Sequence, residues 1–210
     1  MSAQPKTQWI SEQEYYDGEE ISPIKHEWFS GEVFPLHGQV SAMAGGGFNH
    51  TKICGNVHST AKAVLRGRRC SAHNSEQRVK VEATGLNTYP DAVIFCPPAR
   101  FEGSNNHTLL TPKVIFEVLS ESTERYDRGD KFRAYARIET LTDYVLIDQN
   151  RIAVEHFRRT PEGWLLNSFL NRADGLRFVD LEIELPLDEI YEELELPEGL
   201  IGMAPSFFIE

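Results

Sequence analysis

Two apolar runs of this 210-residue chain each carry a single carboxylate: Tyr89-Pro90-Asp91-Ala92-Val93-Ile94-Phe95 and Lys113-Val114-Ile115-Phe116-Glu117-Val118-Leu119-Ser120. Short runs rich in β-branched and aromatic residues read as buried strands. A charge inside such a strand is costly to bury unless it is paired or coordinates a metal. A strand advances about 3.3 Å per residue and neighbours lie about 4.8 Å apart, so adjacent strands can bring Asp91 and Glu117 together. Like charges that close repel, and a divalent cation removes the repulsion. The pair therefore reads as a Mg²⁺ or Mn²⁺ site. The plainer reading puts Asp91 in a turn after Pro90 and Glu117 at a strand edge, paired with Lys113 or Arg125.

After Glu117 the chain leaves its strand through Ser120-Glu121-Ser122-Thr123, a Ser/Thr-rich helix start, and enters a polar helical pattern from about Tyr126 to Ile138. Asp127, Lys131 and Tyr135 are spaced i, i+4, i+8, which keeps them near one helical face able to look back at Glu117. On residue pattern alone the exposed helix is the better reading, its Asp127–Lys131 pair contributing only about 0.3–0.5 kcal/mol.

His50 follows Gly45-Gly46-Gly47-Phe48-Asn49 and opens an apolar helical pattern through Ile53, Val57, Ala61 and Leu65. A loop-to-helix position suits function, because backbone amides there attract phosphate; it also suits an ordinary surface residue. The glycines are no phosphate loop, since no Gly-Lys-Ser/Thr follows, and they read as a hinge at the rim of the site. His58 lies too far around the helix from His50 to chelate with it. Cys54, Cys70 and Cys96 are odd in number and widely spaced, with no CxxC, which predicts a reduced, cytoplasmic protein without structural zinc or a disulfide frame.

A formal charge of −11 at first argues against a nucleic-acid partner, whose phosphates are bound through Lys and Arg. Ten of the acidic residues lie between Asp180 and Glu210, a segment with no Lys or Arg, so the rest of the chain is close to neutral. Lys62, Arg66, Arg68, Arg69, Arg78 and Lys80 cluster in sequence, and Arg125, Arg128, Arg133 and Arg137 decorate the later helix; these are solvated faces or the walls of a substrate groove. The first ten residues hold no apolar signal core, and no apolar run approaches the length of a membrane helix.

The elements predicted along the chain start with an amphipathic segment at 11–20 and a hairpin-like pair at 27–34 and 39–43. A helix follows at 49–65, then strands at 70–73, 77–82, 92–95 and 114–119. The polar helix precedes strands at 144–148 and 153–157, a hairpin toward Trp164, and a short helix after Pro186. Strands with helices inserted at two points predict an α/β fold of α+β type, a mixed sheet flanked by helices. Residues 1–195 read as a single domain and 196–210 as an acidic and apolar tail ending in Phe207-Phe208-Ile209.

The order Gly31-Glu32, Asn49-His50, Pro90-Asp91, Glu117-Val118-Leu119-Ser120-Glu121-Ser122-Thr123, Tyr126-Asp127-Arg128, Lys131, Tyr135 and Asp143-Tyr144-Val145-Leu146-Ile147-Asp148 resembles the Uma-type family of restriction endonuclease-like domains. The resemblance covers roughly residues 10 to 190 and is most specific from Glu117 to Lys131. It implies a PD-(D/E)XK core with hairpin additions and a metal-dependent hydrolase acting on phosphodiester bonds. By position, Asp91 and Glu117 match the two metal-ligating acids, Glu32 an upstream acid and His50 a helix-start histidine. The family's usual Lys two residues after the second acid is Leu119 here. The resemblance implies that Lys131 supplies the ammonium instead, supported by Asp127 and Tyr135, and that the Val118 carbonyl joins the metal ligands. It further implies a Mg²⁺ or Mn²⁺ cofactor, nucleic acid as partner with DNA ahead of RNA, and a homodimer. The alternative is a catalytically silent module of the same fold that binds nucleic acid or protein.

Overall fold

A computed structural model describes residues 9–36 and 47–198. Helix α1 (Glu12–Ile21) is started by a capping box, in which Ser11 accepts from the Glu14 N–H and the Glu14 carboxylate accepts from the Ser11 N–H. The hairpin β1 (His26–Phe29) and β2 (Glu32–Pro35) turns at Ser30-Gly31, both with positive φ. Helix α2 (Phe48–Val64) follows, and then strands β3 (Ser71–Asn74), β4 (Arg78–Val81), β5 (Leu86–Thr88), β6 (Ala92–Phe95), β7 (Phe101–Glu102), β8 (Thr108–Leu109) and β9 (Val114–Leu119). A helical stretch combines α3 (Glu124–Tyr126), a π-helical segment (Asp127–Lys131) and α4 (Phe132–Tyr135). The chain continues through β10 (Asp143–Asp148), β11 (Val154–Thr160), β12 (Gly163–Phe169), β13 (Gly175–Phe178), β14 (Ile183–Pro186) and α5 (Leu187–Ile190).

Two six-stranded sheets, both mixed, carry the fold, in the orders β2-β1-β5-β4-β8-β7 and β12-β11-β10-β9-β6-β3, with β13-β14 as a separate pair. The second sheet is covered on both faces. Val114, Phe116 and Val118 of β9 point into a core built with Ile53, Val57 and Ala61 of α2 and with Phe178, Leu185 and Ile190. Ile115 and Leu119, of the opposite parity, join Val79, Val81 and Leu109 of the first sheet and Tyr135 of α4. Burial on both faces is why β9 and β10 read as continuous apolar runs rather than alternating ones. Glu117 shares the parity of Ile115 and Leu119, so it faces the seam between the two sheets.

Two expectations are corrected. The hairpin closes within 26–35 because Gly31 supplies the left-handed turn; its expected partner at 39–43 lies outside the described residues, as do Gly45, Gly46 and the tail beyond 198. Cys70 and Cys96 form a disulfide, against the expectation of none. Antiparallel pairing of β3 with β6 sets Ser71 opposite Phe95, so the next residues out face each other, a proximity that sequence spacing conceals. No helix among the described residues is long and apolar enough to cross a membrane.

Candidate functional site

Antiparallel pairing of β6 with β9 sets Ala92 against Phe116, and the same register one residue before β6 sets Asp91 against Glu117. Both are buried, at 4% and 2% exposure. The Val118 N–H donates to Asp91 Oδ2 at 2.7 Å, which fixes the carboxylate on the sheet rather than in a turn cap. Glu117 Oε1 meets Lys131 Nζ at 2.9 Å and accepts the Tyr135 hydroxyl at 2.9 Å. Lys113 is engaged with Asp180 instead.

Lys131, at 3% exposure, is the hub. Its ammonium also lies 3.3 Å from Glu27 Oε1 and 3.5 Å from Asp127 Oδ1. The helical stretch that delivers it packs on the Leu119 face of the sheet, where a side chain two residues after Glu117 would point. The π-helical turn at Asp127–Lys131 departs from the regular helix read from the sequence, yet Asp127, Lys131 and Tyr135 all converge on Glu117. Tyr144 donates to the Asp127 carbonyl at 3.0 Å and anchors that turn to β10.

His50, in the first turn of α2, approaches from the other side, with Nε2 3.6 Å from Asp91 Oδ2. Glu32 does not join the group: it is exposed at the start of β2. The upstream acid in the cluster is Glu27, buried in β1, where it accepts the Thr88 hydroxyl. Its signal was present in the sequence, because His26-Glu27-Trp28-Phe29 places a carboxylate in an aromatic strand just as Asp91 and Glu117 are placed in theirs.

Glu27, Glu117 and Asp127 thus surround one buried ammonium, with Asp91 opposite Glu117 on the paired strand. Burial pushes the Glu117 carboxyl well above the usual range; Lys131 opposes the shift, while Asp127 and Asp91 add to it. Asp127 is raised too, by burial first, against the pull of Lys131 and the Thr123 hydroxyl. Burial would lower the Lys131 pKa, but Glu117 and Glu27 outweigh it and hold the ammonium well above the lysine range. Three carboxylates around one ammonium, with Asp91 beside them, make an all-oxygen donor set that fits a hard divalent cation. These groups open on a cavity of about 360 Å³ whose wall includes Phe29, Phe34, Leu36 and Tyr126.

The Arg and Lys residues clustered in sequence divide. Arg78 is buried against the rings of Tyr15 and Tyr16, Lys80 pairs with Glu12 and Glu102, and Arg68 donates to the Leu181 carbonyl. Lys62 and Arg66 line a separate cavity with His58 and His73.

Tyr135→Phe tests the geometry without reference to function. Leaving a buried acceptor without its partner costs about 1–3 kcal/mol, so urea unfolding without metal is expected to show a loss of that size. An unchanged midpoint would mean that the hydroxyl does not support Glu117.

Residues 13–188 match the family model Uma2, described as "Putative restriction endonuclease". Two Synechocystis proteins are similar over nearly their whole length. The uncharacterized protein slr1290 is 31% identical, with 88% of this chain and 93% of the relative covered. The uncharacterized protein sll1609 is 27% identical, with 84% and 97% covered. A crystal structure from Anabaena variabilis, of "a putative nuclease belonging to DUF820", shares the fold at a TM-score of 0.62 and 18% identity, over 80% of this chain and 90% of that one.

Proposed function

Since the chain belongs to the Uma2 family of restriction endonuclease-like proteins, we propose that it is a Mg²⁺- or Mn²⁺-dependent nuclease of the PD-(D/E)XK type that hydrolyses phosphodiester bonds in nucleic acid, DNA ahead of RNA, as a homodimer. The observation that carries the reading is the buried group of Asp91, Glu117 and Lys131 at a cavity between two sheets. Asp91, Glu117 and the Val118 carbonyl would hold the cation. When bound, the cation makes a water more acidic and neutralises charge on the phosphoryl oxygens.

The chain's own residues supply the rest. Lys131 is fixed from three sides and offers a positioned ammonium where charge develops as water oxygen bonds to phosphorus and the ester oxygen leaves. A point charge on a flexible stem can reach one spot from different backbone origins, so a lysine from the helix can serve where Leu119 stands in the strand. Asp127 and Glu27 hold Lys131 in place. Tyr135 holds Glu117 in one orientation. His50 steadies Asp91 from α2.

The test is cleavage of single- and double-stranded DNA and RNA with Mg²⁺ or Mn²⁺, at several pH values. Metal-dependent cleavage of at least one substrate is expected. Because the Glu117 carboxyl is raised, its proton competes with the cation, so metal affinity should increase as pH rises through the range in which that carboxyl ionises. Folded protein that binds no metal and cleaves nothing would leave the silent binding module in its place.

A further inference from the structure

Beside the carboxylates, on the α2 side, lies a donor set of different chemistry. Among the described residues, His50, Cys54 and Asp91 form a group of three metal-ligating side chains whose ligand atoms all fall within 4.8 Å of one another. His50 and Cys54 are i and i+4 on α2 and so share a face. Cys54 Sγ is 3.5 Å from His50 Nδ1. A tetrahedral zinc with bonds of about 2.3 Å to sulfur and about 2.0–2.1 Å to nitrogen separates those two ligands by about 3.6 Å. The imidazole also hydrogen-bonds the Val118 backbone, the kind of outer contact that fixes the ring of a ligating histidine.

We propose that Cys54, His50 and Asp91 form a site for a thiolate-preferring transition metal, Zn²⁺ above all, with the fourth position open. Thiolate and imidazole select Zn²⁺ and disfavour Mg²⁺, which demands oxygen donors. Binding releases the Cys54 thiol proton to solvent as the sulfur–metal bond forms. Because Asp91 belongs to both donor sets, Zn²⁺ held here withdraws it from the carboxylate centre. Zn²⁺ then acts as an inhibitor that Mg²⁺ does not mimic. This last consequence rests on the nuclease reading; the metal site itself does not.

The experiment is a Co²⁺ titration of the full chain without reductant, read by optical absorption. The wild type is expected to take up one Co²⁺ with an intense near-ultraviolet thiolate band, displaced by Zn²⁺. The band should vanish in Cys54→Ser and persist in the Cys70→Ser/Cys96→Ser double variant, with thermal unfolding as the check that each is folded. A wild type without the band, or a band that survives Cys54→Ser, overturns the site. In Mn²⁺-supported cleavage, Cys54→Ser should keep its basal rate. It should also need more Zn²⁺ for half-inhibition, by more than the roughly 10–100-fold that loss of an outer-shell partner costs. Equal inhibition of both proteins overturns the competition for Asp91. A Cys54-dependent band in a protein that cleaves no substrate would leave the site standing and remove the nuclease reading.

Discussion

Asp91→Asn is expected to abolish high-affinity Mn²⁺ binding and to lower metal-dependent cleavage below about a hundredth of wild type. Loss of an outer-shell partner alone costs about 10–100-fold, and Asp91 is proposed as a direct ligand. The substitution suits the test because it is nearly isosteric. An amide oxygen can still accept the Val118 N–H that the carboxylate accepts at 2.7 Å, so the strand pairing has no reason to fail. What the amide lacks is the charge that a hard cation requires. Calorimetric titration with Mn²⁺ reads the binding, and cleavage of the substrate found for the wild type reads the turnover. An Asp91→Asn protein that titrates Mn²⁺ like the wild type would remove the carboxylate centre from the account.

Lys131→Ala is expected to have the largest effect on stability. Breaking a buried charge group by deleting one partner typically costs about 3–5 kcal/mol, because the remaining charge is left uncompensated. Here Glu117, Glu27 and Asp127 would all lose the same ammonium. The sign with pH follows. Without Lys131 the Glu117 and Asp127 carboxyls, already raised by burial, move further above their unfolded values, so the folded protein holds more protons than the unfolded chain. Stability then falls as pH rises through the carboxyl range and is regained as pH falls. Urea unfolding of metal-free wild type and variant at pH 5 and pH 8 should show the gap widening at the higher value. A gap that stays constant would mean that Lys131 acts through packing, not through its charge. If the variant is folded by added metal but turns over poorly at saturating Mn²⁺, the ammonium acts in the chemical step.

Asp91 and Glu117 were legible because each breaks an apolar strand pattern, and both strands fall at the residues read from the sequence. Helix α2 and the strand β10 were legible for similar reasons of length and periodicity. Glu27 rather than Glu32 joins the buried cluster, for a physical reason. Glu32 fits a motif position next to Gly31, but membership of the cluster depends on which hairpin strand packs against the helical stretch, and that strand carries Glu27. The i, i+4 spacing of His50 and Cys54 stands in the sequence, but their meeting with Asp91 depends on how α2 packs against β6 and β9. The strands β5, β7 and β8 have two or three residues each, too few to show any period. The Cys70–Cys96 pairing depends on the β3–β6 register and on nothing local.

The residues that meet at Lys131 come from β1, from the middle of β9 and from the helical stretch beyond it. No short stretch of chain contains two of the facing sides, and the first sheet must close on the second before Glu27 can reach the ammonium. Contacts between positions so distant along a chain form late and slowly, since loop-closure entropy must be overcome before they contribute. The capacity for chemistry is therefore a property of the completed fold: a nascent or partly folded chain carries the acids but not their arrangement, and competence arrives with the final cooperative step.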